Sequence, residues 1–254
     1  MRRSGLAVTL LLSLAFAAYG GLVLLDVLAR EETRTVRTLV LPADGRLAVE
    51  TGSGDVSAEA SDGPPRVELV SQGGLFGAPE LRLERGADGR VSVRTTCDAP
   101  LGLLGCSGSL RLLVGAESAV ALETGSGEVA VRGLRAGVVA KTGSGSVTLT
   151  DVSGPEVRAE TGSGDLAGTG VATRRLVADT GSGDVTLGLT SAPDEATVRT
   201  GSGDVDLTVP DDVYDVGTDT GSGTSRVTVR TDVTAPRRLR VTTGSGDLRV
   251  APAG

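Results

Sequence analysis

Carboxylates recur at one fixed place in this sequence. Asp165, Asp184 and Asp204 each close a Thr-Gly-Ser-Gly-Asp run, 19 and then 20 residues apart. If such runs stack, their carboxylates repel unless water, backbone N–H groups or cations screen them. Hard cations such as Ca²⁺ take carboxylate and carbonyl oxygens. The row therefore predicts either solvated turn aspartates or weak cation sites. The nine-residue calcium repeat GGxGxDxUx has a similar turn, but its period is about half of this one, so that motif is not matched.

Two other groups could do chemistry. Polysaccharide cleavage on an exposed sheet needs paired carboxylates near an arginine. Asp204 with Asp206, and Arg226 expected on the next strand layer, is the best such set, although Asp-x-Asp on a strand also describes a solvated surface. Arg237, Arg238 and Arg240 form a basic turn, either a solvated loop or a contact for an anionic polymer. Cys97 and Cys106, the only cysteines, bracket CDAPLGLLGC. In an oxidising compartment this pair reads as a disulfide closing a small loop, with two free thiols as the alternative. Without histidine it makes a poor zinc site.

Composition excludes more. The 254 residues hold no histidine and no tryptophan. That removes Ser-His-Asp hydrolysis, HExxH zinc chemistry and most haem ligation. Of the four Phe and Tyr residues, Phe16 and Tyr19 fall in an N-terminal apolar run, so no aromatic platform can stack bases or sugars. The net charge of −7 argues against a nucleic-acid partner. Isoleucine and asparagine are absent and Lys141 is the only lysine, as GC-rich bacterial coding would give. No cofactor is expected.

The N-terminus sets the compartment. Arg2 and Arg3 precede an uncharged run over residues 5–25. Its 21 residues are enough to cross a bilayer core of about 30 Å. Basic residues stay on the cytoplasmic side, which sends the rest of the chain outward. Ala15-Phe16-Ala17 resembles a signal-peptidase site, but the apolar run continues past it. A single-pass signal anchor is the leading expectation, and a cleaved signal peptide is the alternative. Both place the C-terminal domain outside the cytoplasm. No lipobox cysteine follows.

These residues are positioned by a repeat. TGSG begins at Thr51, Thr124, Thr142, Thr161, Thr180, Thr200, Thr220 and Thr243. After a first gap of 73 residues the spacings are 18, 19, 19, 20, 20 and 23. Before nearly every one of these threonines, apolar residues alternate with polar ones, as in Leu47-x-Val49-x-Thr51 and Leu176-x-Ala178-x-Thr180. After each run the alternation resumes, as in Val185-x-Leu187 and Val205-x-Leu207. A period of 2 puts one face in and one face out. Each repeat is thus strand, GSG turn, strand, variable turn. The turn glycines are Gly52 and Gly54, Gly125 and Gly127, Gly143 and Gly145, Gly162 and Gly164, Gly181 and Gly183, Gly201 and Gly203, Gly221 and Gly223, and Gly244 and Gly246. Both glycines of each pair are expected to supply φ > 0. Prolines 155, 193, 210 and 236 fall in the variable turns, where they cannot extend a ladder.

A near-constant turn at one corner suits superposed coils better than an antiparallel meander. The expected fold is all-β, a right-handed parallel β-solenoid of about 20-residue coils behind one transmembrane helix. Successive coils are expected to stack in chain order, with Thr180, Thr200 and Thr220 as near neighbours. The chain divides into a membrane segment (1–30), a stalk and first strand (31–46), a solenoid (47–250) with an insertion around 61–115, and a tail (251–254).

The recurring TGSGDV with alternating V-x-L strands, behind an N-terminal membrane segment, resembles the bacterial "putative adhesin" family of β-strand repeats, a domain of unknown function. It is also similar to the head GIN domain family. The resemblance spans residues 40–250 and implies a single-stranded right-handed β-helix at the cell envelope, with no catalytic residues to carry over. The 73-residue gap and the cysteine pair depart from the pattern. The function expected is a membrane-anchored, non-catalytic binding or structural module. Its partners are envelope polymers, surface proteins or further copies of itself. The alternatives are an envelope scaffold or stress-response accessory protein acting by self-association and, further off, a polysaccharide-cleaving enzyme.

Overall fold

A computed structural model describes residues 20–21, 31–38, 46–73, 80–86, 91–96 and 108–253. The apolar run 5–25 lies outside these residues except for Gly20 and Gly21, which are helical. Cys97 and Cys106 also lie outside them. Among the described residues no helix is long and apolar enough to cross a membrane.

The alternating Val, Leu and Thr residues form strands because β-branched side chains fit a pleated, half-buried surface. They build two parallel sheets, joined at each GSG corner. One sheet stacks the strands that enter the corner, with Thr51 beside Thr124, then Thr142, Thr161, Thr180 and Thr200. The other stacks the strands that leave it, running Val56, Val129, Val147, Leu166, Val185, Val205. The two sheets press their inward rows together. Val129, Ala140, Val157, Leu176, Val198 and Leu207 are among the fully buried residues of one continuous core. The all-β repeat and the expected parity are present.

The order of coils departs from the chain order at both ends. Thr200 pairs in register with Thr243, and Thr243 pairs with Thr220. The last coil is therefore inserted between the two before it, and Thr220 is not the neighbour of Thr200. Composition explains this. The Thr220 coil carries Thr218 and Ser225 where other coils carry aliphatics. Buried between neighbours, those hydroxyls would need partners. At the end of the stack Ser225 is exposed, and its hydroxyl donates to Thr218 Oγ1 at 3.0 Å. The last coil instead buries Leu239, Val241, Leu248 and Val250.

The N-terminal end mirrors this arrangement. Strands Val91–Thr96 and Gly108–Val114 form a coil beyond Thr51, pairing Val91 with Leu47 and Leu110 with Val56. The first TGSG coil is thus also enclosed on both sides. Antiparallel strands finish this end. Arg66–Gly73 lies on Gly108–Val114, Glu31–Thr38 lies on Arg66–Gly73, and Glu80–Arg85 lies on Val91–Thr96. The 73-residue gap therefore supplies one extra coil and, together with Glu31–Thr38, its cap. Among the described residues the spatial order of corners is 95, 51, 124, 142, 161, 180, 200, 243, 220.

Among the described residues Tyr214 is the largest fully buried side chain. It sits where the chain steps past the inserted coil, and its hydroxyl donates to the Pro210 carbonyl at 2.9 Å.

Candidate binding edge at the GSG corners

From Thr142 to Thr200 the corner threonine is buried, and its hydroxyl reaches the backbone of the neighbouring coil. Thr142 Oγ1 donates to the Gly127 carbonyl of the coil below at 2.9 Å. Thr161 does the same to Gly145 at 2.8 Å, Thr180 to Gly164 at 3.0 Å, and Thr200 to Gly183 at 3.0 Å. Thr243 donates to Gly203 and Thr220 to Gly246, which repeats the exchanged order. A corner turns its carbonyls out of the sheet ladder, and a buried carbonyl left unpaired is costly. The threonine satisfies it.

The two glycines serve different needs, which corrects the expectation that both take φ > 0. Only the second does, with φ +145 at Gly164 and +143 at Gly183. A Cβ on Gly164 would also lie 2.1 Å from the Gly145 oxygen. The first glycine is excluded from carrying a side chain by stacking alone. A Cβ on Gly162 would lie 2.6 Å from the Gly143 oxygen. Both corner glycines thus point their missing side chain along the coil axis into the neighbour's backbone.

The aspartates form a ladder. Asp165 Oδ1 accepts the Asp184 N–H at 2.9 Å, Asp184 Oδ1 accepts Asp204 N–H at 2.8 Å, and Asp204 Oδ1 accepts Asp247 N–H at 2.8 Å. Asp247 then accepts both the N–H and the hydroxyl of Thr224. Those bonds hold the Asp247 carboxyl below the usual carboxylate range. Thr224, with no carboxylate to offer, ends the row. Sequence order shows three aspartates in a run. The fold makes it four, because Asp247 follows Asp204 in space. Among the described residues no three His, Cys, Asp or Glu side chains gather as a metal-ligating cluster. The free oxygens of Asp165, Asp184 and Asp204 could each take a weak cation contact.

Beside this ladder runs a column of exposed serines: Ser126, Ser144, Ser163, Ser182, Ser202 and Ser245. Exposed Ser and Asp therefore repeat along one edge at the strand spacing of about 4.8 Å.

The catalytic set foreseen at Asp204, Asp206 and Arg226 is not assembled. Arg226 lies in the outermost coil, with the inserted coil between it and Asp206. Asp206 is instead held by Arg249, whose Nη1 lies 2.9 and 3.0 Å from its two oxygens. The basic turn is largely neutralised. Arg240 donates to Asp215 at 2.6 Å, and Arg237 Nε lies 3.0 Å from Asp212. Arg238 borders a pocket of about 400 Å³ on the variable-turn side, facing Arg174, Arg175, Asp194 and Glu195. Charges of both signs line it. The threonine–carbonyl ladder was missed in the sequence. The invariance of the threonine against a variable fifth residue was its signal.

No curated protein matches this chain. Several solved structures share its fold, two from Bacteroides and Parabacteroides among them. A "putative adhesin" from Bacteroides fragilis is 9% identical with a TM-score of 0.51, covering 88% of this chain and 98% of its own. Another from Parabacteroides distasonis is 14% identical with a TM-score of 0.50, covering 88% and 97%. At such identity the likeness carries the fold alone. The Toastrack DUF4097 family model matches residues 32–252, which takes in the coils, the N-terminal cap and the GSG edge, and so this chain belongs to the Toastrack DUF4097 family.

Proposed function

We propose that this protein is a membrane-anchored, extracytoplasmic binding module without catalytic activity, a right-handed coil whose GSG edge holds polymers or proteins of the bacterial envelope. The observation that carries this reading is the in-register row of exposed serine and aspartate at Asp165, Asp184, Asp204 and Asp247. Many identical weak contacts on one straight edge gain affinity through effective concentration rather than through a pocket. Hydroxyls and carboxylates suit hydroxyl-rich or cationic polymers, and Ca²⁺ could bridge the free carboxylate oxygens to an anionic one.

The strands on either side of the Cys97–Cys106 segment support a disulfide there. Thr95 bonds Thr51 at 2.7 Å, and Gly108 lies against Gly54, so the segment leaves and re-enters at one corner. Absence of free thiols in the unreduced protein would agree with an oxidising compartment.

The test is binding of the purified full chain to immobilised envelope polymers, with and without Ca²⁺. Changing Asp165, Asp184, Asp204 and Asp247 together to Asn keeps the ladder acceptors and removes the charge. Loss of binding with an unchanged melting temperature supports the edge. Undiminished binding by this variant overturns it. Self-association through the solenoid ends is the weaker reading, since Thr218 and Ser225 make the outer coil polar at its core positions.

A further inference from the structure

We propose that the N-terminal end of the solenoid is itself a contact with the lipid bilayer, so that the coil axis stands end-on to the membrane and the Thr220 coil lies farthest from it. This rests on the membrane-anchored reading above.

Two independent observations meet at this end. The first is apolar exposure. Among the described residues three large hydrophobic side chains are exposed: Val36 at 50%, Leu83 at 40% and Val233 at 88%. Val36 and Leu83 lie on Glu31–Thr38 and Glu80–Arg85, the outermost described strands of the two sheets at the N-terminal end. Leu83 faces the core side of its strand, opposite the buried Val93, yet stays open because no further strand covers it among the described residues. The second observation is the tether. Glu31 begins its strand six residues after Leu25, the end of the apolar run. Six extended residues reach at most about 20 Å. A chain anchored through that run cannot hold this end far from the headgroups.

Charge is compatible with that placement. On one edge strand Glu31 and Glu32 balance Arg34 and Arg37, and on the other Glu80 and Glu84 balance Arg82 and Arg85. The protein as a whole carries −7 and is repelled by anionic headgroups, whereas these two strands add no net charge. Eight strand spacings then put the outermost coil roughly 40 Å above the first. The GSG edge would run perpendicular to the membrane and be accessible along its length.

The experiment uses the full chain in proteoliposomes containing a headgroup nitroxide lipid. A fluorophore is placed at Leu83→Cys, Val36→Cys or Val233→Cys, with Arg82→Cys as a second position on the same strand should Leu83→Cys disturb folding. The unsubstituted chain treated with the same reagent gives the background. The proposal expects most of the emission to be lost at 36 and at 83 (or 82), and little at 233. If the protein stays with floated vesicles after an alkaline wash but all positions keep their emission, anchoring stands and end-on contact is overturned, leaving the chain's own connecting segments or another protein as the cover. Equal loss at 233 overturns it as well, since the solenoid then lies flat. If the chain does not float, the anchored reading fails and this proposal fails with it.

Discussion

Thr243 lies beside Thr200, paired with it in register, although the chain places Thr220 between them. The mirrored exchange encloses the Thr51 coil at the other end. The first and last TGSG coils are therefore interior, and the coils at the two ends of the stack are held by the chain on both sides. Repeat arrays lose structure from their ends. Here an end coil cannot peel away without also freeing a loop to the interior.

A disulfide scan reads that order directly. Ser222→Cys with Ser245→Cys joins neighbours at about 4.8 Å, inside disulfide range. Ser202→Cys with Ser222→Cys spans two strand spacings, about 9.6 Å, and is out of range. Mass spectrometry of unreduced peptides is expected to show the first bridge alone. The reverse result would restore chain-order stacking.

The corner glycines differ in tolerance. Gly164→Ala forces a left-handed φ on alanine and drives its Cβ against the Gly145 oxygen. It is expected to destabilise by about 3 kcal/mol or more. Among the described residues a Cβ at Gly52 meets nothing within 4 Å, so Gly52→Ala is expected to change stability by less than about 0.5 kcal/mol. Urea melts followed by circular dichroism give both values.

Thr161→Val keeps the shape of the side chain and removes the donor to the Gly145 carbonyl. An unpaired buried acceptor is expected to cost about 1–2 kcal/mol. The same urea melts check it, and Thr161→Ser, which keeps the hydroxyl, separates the lost bond from lost packing.

Asp184→Ala takes away the acceptor for the Asp204 N–H and is expected to cost about 1 kcal/mol. Asp184→Asn keeps that acceptor and relieves repulsion within the row, so its melting temperature should equal or exceed the wild type. A large loss in Asp184→Asn would show that the charge itself is needed.

Acid should unfold the protein in part through the end coil. Hydrogen bonds from Thr224 lower the pKa of Asp247, and a hydrogen bond from Arg240 lowers that of Asp215. A carboxyl depressed in the folded state stabilises above its unfolded pKa of about 4 and loses that contribution as pH falls through the folded value. Stability measured between pH 7 and pH 2 is expected to fall at the acid end, with a shallower fall in Asp247→Asn.

Much of the fold is legible in the residues. Alternation in stretches such as Val205-x-Leu207 fixes which side chains face inward, because a strand has a period of 2. A constant TGSG at about 20-residue spacing requires one corner that superposes on itself. The polar Thr218 and Ser225 even mark the coil that ends the stack, although nothing local says that it is reached by skipping over a coil still to come. Chain order is one-dimensional, whereas burial is settled by which coil has two apolar neighbours to lie between. Only the tertiary structure could seat Asp247 next to Asp204, give Asp206 to Arg249 rather than Arg226, and divide the two corner glycines into one that needs a left-handed backbone and one that only needs to be bare. Those outcomes depend on contacts between residues 19 to 43 positions apart, and a repeat read along the chain is silent about them.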